Sequence, residues 1–78
     1  MEEEKYIGKV IWFNPKLGFG FISREGETDL FVYWSDIVCE GFKTLKKDQE
    51  VAFSIGLNNY KQLKAVDVVI ISEGIGGI

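Results

Sequence analysis

Lys16-Leu17-Gly18-Phe19-Gly20-Phe21-Ile22 is the stretch whose reading decides the fold. It alternates with a period of two, as a strand does, so Phe19 and Phe21 share one face while Gly18, Gly20 and Ile22 share the other. Glycine weakens a strand and marks a bend or a close backbone approach. Two large rings interleaved with glycines suit an exposed face better than a buried strand. An exposed face of this kind needs a flat apolar cover, and nucleic-acid bases are the commonest ligand of that shape. Ordinary core packing is the alternative for these rings.

On the N-terminal side, residues 5–13 are rich in β-branched and aromatic side chains and lack a helix cap, which reads as a first strand. Val10 is assigned to the core and Trp12 to the opposite face. Three large residues before the turn Asn14-Pro15-Lys16 suggest a twist or bulge, which leaves the faces of Ile11 and Phe13 open. On the C-terminal side the second strand, from Gly18, ends near Ser23, and residues 24–28 form a charged hairpin connection. A third strand, residues 29–34, alternates Leu30 and Val32 inward with Phe31 and Tyr33 outward. Phe31 and Tyr33 then lie beside Phe19 and Phe21 as cross-strand pairs, making a two-strand aromatic platform.

Ser35 is placed to cap a short helical turn, with Ile37 or Val38 held at the core. Residues 40–48 form a basic loop anchored by Leu45. A fourth strand, residues 49–55, turns Val51, Phe53 and Ile55 inward. A polar loop over 56–61 leads to a fifth strand, residues 63–71, whose core run is 65–71. Five short strands without an amphipathic helix give a small all-β domain, and closure into a barrel hides its sheet edges.

The 78-residue length allows one domain, and 46% hydrophobic residues supply a small core. The domain is expected over residues 5–71, between a flexible acidic start, 1–4, and a flexible glycine-rich end, 72–78. No run of about 18 apolar residues occurs, so no membrane span is expected. The acidic start is unlike a signal peptide, and Cys39 as the only cysteine rules out an internal disulfide, so the chain reads as cytoplasmic. The net charge of −3 argues against tight, salt-driven binding of duplex DNA. It leaves room for single strands, where stacking carries much of the energy. With no histidine, no metal-ligand cluster and one cysteine, neither an enzyme nor a metal or cofactor site is expected.

Four segments, taken together, carry a family resemblance: Gly8-Lys9-Val10-Ile11-Trp12-Phe13-Asn14, Leu17-Gly18-Phe19-Gly20-Phe21-Ile22, Asp29-Leu30-Phe31-Val32-Tyr33-Trp34-Ser35 and Glu40-Gly41-Phe42-Lys43-Thr44-Leu45. In this order and spacing they closely resemble the cold-shock proteins, and the second and third look like that family's two ribonucleoprotein motifs. The resemblance covers about residues 5 to 70. It implies a five-stranded antiparallel OB-fold barrel that binds single-stranded RNA and DNA with little sequence preference, often favouring pyrimidines. It also implies an RNA chaperone or a regulator of transcription termination and translation. A barrel used as a protein–protein interaction module is the alternative. A monomer is expected, with a strand-exchanged dimer as its alternative.

By residue, the resemblance implies stacking positions for Trp12, Phe19, Phe21, Phe31 and Phe42 and a peripheral place for Phe13. Tyr33 stands where the family usually has a stacking histidine, and Trp34 where it usually has phenylalanine, so both positions keep a ring. Lys16, Lys43 and Lys61 are candidate contacts to the ligand backbone; Lys61 lies in a loop, 57–63, that lacks the family's usual glycine-proline. Ile11 and Leu17 stand where lysines are common, and Asp36 where a small apolar residue is usual. Gly18 and Gly20 are expected to let ligand and strand approach closely. The stacking half of the site is complete and the electrostatic half thin, which predicts binding that leans on rings more, and on salt less, than is usual for the family.

Overall fold

The computed structural model describes residues 4–73; the expectations for the two chain ends fall largely on 1–3 and 74–78, outside the described residues. Five strands form: β1 (Tyr6–Asn14), β2 (Phe19–Ser23), β3 (Leu30–Tyr33), β4 (Glu50–Leu57) and β5 (Leu63–Ser72), with a short 3-10 turn, Trp34–Asp36, after β3. They close into a barrel in the order β1-β2-β3-β5-β4. A closed ring of five strands cannot alternate direction throughout, because five is odd. The junction that breaks the alternation is β3 with β5, which pair in parallel, while the other neighbours are antiparallel. No helix among the described residues is long and apolar enough to cross a membrane.

The period-two patterns supply the core. Val10 from β1, Ile22 from β2, Leu30 and Val32 from β3, Val51 and Phe53 from β4, and Ala65 and Val68 from β5 form one buried cluster. Ile37 and Leu45 join it from the long connection between β3 and β4. Each fully buried side chain of this size contributes roughly 1.5–3 kcal/mol relative to exposure, which a domain this small needs from most of its strands. Ile55 also turns inward, but it is only half-buried against the cluster.

Three local expectations are corrected. β2 begins at Phe19, and Gly18 belongs to the preceding turn with φ +81°. There the side-chain oxygen of Asn14 accepts the N–H groups of Lys16 and Leu17 at 2.9 and 3.0 Å, an arrangement that stops the strand before it can continue through Gly18. Trp34 leaves β3 for the 3-10 turn, and Ser35 does not cap it: Tyr33 takes the capping position with no side-chain bond. Ile37 is buried and Val38 is 55% exposed, so the former alone is the pin.

β4 also runs on through Gly56 and Leu57, which were expected in the following loop, and register shifts account for two further departures. In β1, Val10 opposes Ile22 but Trp12 opposes Phe21, so Ile11 is an extra residue. Strict alternation would have put Trp12 on the side of Val10, and this bulge is what turns it outward. In β5, Val69 opposes Ala52 but Val66 opposes Ser54, so β5 also carries an extra residue, close to Asp67 with φ +52°. The expected core run of 65–71 is therefore interrupted: Ala65 and Val68 are buried, whereas Val69 and Ile71 are exposed.

Candidate nucleic-acid interface

The outward positions of β2 and β3 bring four rings together. Phe19 opposes Tyr33, and Phe21 opposes Phe31, because the two strands are paired without a register shift. Phe21 and Phe31 have centroids 5.0 Å apart, and Phe31 and Tyr33 stack at 6.0 Å with 16° between planes. The β1 bulge adds Trp12, which lies 5.6 Å from Phe19, edge to face, and 6.2 Å from Phe21. The result is a connected ladder of five rings across three strands. Phe19, Phe21, Phe31 and Tyr33 are half-buried against their neighbours, and Trp12 is 41% exposed. Mutual packing of this kind holds each ring in place and leaves a face for a planar ligand.

A second group of rings lies beside the first turn. Trp34 and Phe42, exposed by 54% and 73%, line a groove of about 390 Å³ with Pro15, Lys16, Leu17 and Lys43. The 3-10 turn delivers Trp34 here: its backbone N–H donates to the Gly18 carbonyl at 2.8 Å. Lys16 is exposed at the groove wall, while the Lys43 ammonium donates to the Ile37 carbonyl at 3.1 Å. Leu17 makes this wall apolar where a cation would have extended its reach.

The glycines do other work than expected. A Cβ on Gly20 would collide with the Trp12 carbonyl oxygen and stand 2.7 Å from Phe13 Cα. A Cβ on Gly18 would stand 2.6 Å from the Trp34 ring. Both positions therefore serve the packing of strand on strand and ring on turn. Phe13 is also elsewhere. It opposes Gly20 on the inner side of β1, half-buried against the core, and the Gly20 Cβ position is 2.9 Å from its ring. Lys61 sits exposed with φ +63° in the loop after β4, and its backbone N–H donates to the Asn58 carbonyl at 3.0 Å. No ring contact brings it to the ladder.

The lysine that does reach the ladder is Lys64, which the sequence reading passed over. Its Nζ lies 5.5 Å from the Tyr33 ring centroid and 2.9 Å from Asp36 Oδ2. Lys64 opposes Phe31 through the parallel junction of β3 and β5, a pairing between distant segments that no local pattern displays. Asn58 completes this edge, its side-chain N–H directed at the Tyr33 hydroxyl at 3.4 Å. The titrating group shifted most plainly is away from this face. The Tyr6 phenol, on the part of β1 that pairs with β4, donates to Glu4 at 2.6 Å, and that bond and the carboxylate charge hold its pKa above the ordinary range.

Comparison with known proteins supplies the family. Residues 6–71 match the model of the 'Cold-shock' DNA-binding domain. A cold shock-like protein of Thermotoga maritima is 56% identical over 48 residues, 62% of this chain and 73% of that protein. The cold shock protein CspB of Bacillus caldolyticus is 54% identical over 52 residues, 67% of this chain and 79% of that one. Among solved structures, the Drosophila Unr CSD456 superposes with a TM-score of 0.72 at 18% identity, covering 97% of this chain and 29% of its own, a likeness of fold.

Proposed function

This chain belongs to the cold-shock domain family, a family of nucleic-acid-binding barrels, and we propose that it binds single-stranded RNA and DNA by stacking bases on its ring ladder. The observation that carries the reading is the unbroken contact from Trp12 through Phe19, Phe21 and Phe31 to Tyr33. Each base stacked on a ring contributes roughly 1–3 kcal/mol, and every base has a π face, so recognition is broad. Trp34 and Phe42 extend the path, with Lys16 and Lys43 as backbone contacts beside them. Phe13 supports the site through Gly20 and the inner side of β1, and Lys61 is its outlying cation.

Binding only unpaired strands shifts a hairpin toward its open form by mass action, which is the work of an RNA chaperone and needs no nucleotide hydrolysis. The same property suits a regulator of transcription or translation. On this reading the protein is a cytoplasmic monomer without catalysis or cofactor, with residues 5–71 as the binding domain.

Titration with oligo-dT or oligo-U, followed by tryptophan fluorescence, tests the reading. Quenching at roughly micromolar strand or below in low salt is the expected result. No quenching together with no shift in gel mobility would sink it. One observation favours a protein-interaction module instead: Leu17, 63% exposed, joins Trp34 and Phe42 in an apolar groove wall. That reading gains if the strand titration fails.

A further inference from the structure

Asp36 and Lys64 meet at the edge of the ring ladder. The carboxylate comes from the 3-10 turn after β3 and the ammonium from β5, and they pair at 2.9 Å with side chains 18% and 21% exposed. The same ammonium lies 5.5 Å from the centre of the Tyr33 ring. A cation therefore stands over the last ring of the ladder, and in the free protein its charge is answered by a carboxylate of the same chain. A nucleotide stacked on Tyr33 carries its phosphate one sugar away from the base, close to this edge.

We propose that Lys64 is a phosphate-contacting residue and that Asp36 is its built-in competitor, displaced when the phosphate of a bound strand takes its place. The inference rests on the single-strand reading above and names an electrostatic device within that site. Carboxylate and phosphate offer an ammonium the same kind of anionic oxygen acceptor. Lysine is a point charge on a flexible stem, so it can exchange one for the other without refitting a planar fork. A pair that is a fifth exposed is open to such exchange.

The exchange has a signature in salt. A phosphate that meets a free lysine releases a condensed cation, and each such contact steepens the dependence of log Kobs on log salt by about 0.7 for a single strand. When the lysine is already paired, the displaced Asp36 takes up a cation from solution as the phosphate sheds one. The contact then orients the strand with little gain in affinity and little salt dependence.

The test is a cycle on the full chain of Asp36→Asn, Lys64→Gln and the double variant, each titrated with oligo-dT at several salt concentrations and melted thermally. Asp36→Asn is expected to bind roughly threefold more tightly at low salt and to steepen the salt slope by about 0.7. Lys64→Gln in that background cancels both changes. An equal gain with and without Lys64 overturns the proposal, since Asp36 would then repel the strand through space. Unchanged or weaker binding by Asp36→Asn overturns it as well. A measurement without substitution stands beside the cycle: the carboxyl carbon resonance of Asp36 in the unaltered protein moves toward that of a solvated carboxylate on adding oligo-dT. A resonance that stays fixed while tryptophan is quenched defeats the exchange and leaves the stacking reading intact. Absence of strand binding by the unaltered protein defeats both.

Discussion

β2 and β3 differ from β4 and β5 in length, in regularity and in what they show to solvent. β2 and β3 have five and four residues, and each alternates strictly between buried and half-buried positions. β4 and β5 have eight and ten residues, and their pairing contains register shifts. A short strand crosses the barrel wall before curvature accumulates, whereas a long one must bend around it, and bulges supply the bend. The inner sides of both pairs do the same thing, burying aliphatic groups and Phe53 in one cluster. The outer sides differ. β2 and β3 present rings, while β5 presents Asp67, Val69 and Ile71. Stability thus belongs to the inner side all round the barrel, and the candidate binding surface to the outer side of one sector.

Substitutions can break that division. The largest expected effect is that of Phe53→Ala on β4. Phe53 has no exposed surface, and its loss should lower the unfolding free energy by roughly 3–5 kcal/mol in denaturant melts. Next is Gly20→Val, which forces a side chain into the Trp12 and Phe13 backbone and should cost roughly 1–3 kcal/mol in the same assay. Strand binding should fall only as far as folding does; a fall with an unchanged melt would restore the glycine as a spacer for ligand.

Phe31→Ala reverses the pattern. It should weaken oligo-dT binding at least about tenfold while lowering stability less than Phe53→Ala does. A collapse of the fold without selective loss of binding would make this ring core. Val69→Thr, on the outer side of β5, should leave melting within about 0.5 kcal/mol and oligo-dT affinity unaltered. The smallest effect is that of pH. The chain has no histidine, so affinity should stay flat between about pH 6 and 8, as measured by the same titration.

Much of this was readable in advance because period two is a local property. Leu30 and Val32 inward with Phe31 and Tyr33 outward needed only the residues themselves. The ring ladder of β2 and β3 followed from one hairpin of ordinary register. The faces of Trp12 and Phe13 were not readable in this way, because an extra residue at Ile11 moves both. The same limit applies to residues 65–71, where apolar side chains flank Asp67 on both sides and the two register shifts against β4 decide which are inside. At Gly18 and Gly20 the sequence marks a close approach but does not say to what; the structure supplies the Trp34 ring and the β1 backbone.

The sequence by itself determined five strands, the inner residues of the short strands and the presence of ring-bearing positions, since each depends on neighbours within a few residues. The tertiary structure decided which lysine serves the ladder. Lys61 lies in the loop after β4 and Lys64 just beyond it in β5, and composition does not separate them. Closing an odd-numbered ring sets β5 parallel to β3, which brings Lys64 alone to Tyr33 and to Asp36. Ring stacking was written in alternation; the charge that meets it was set by closure.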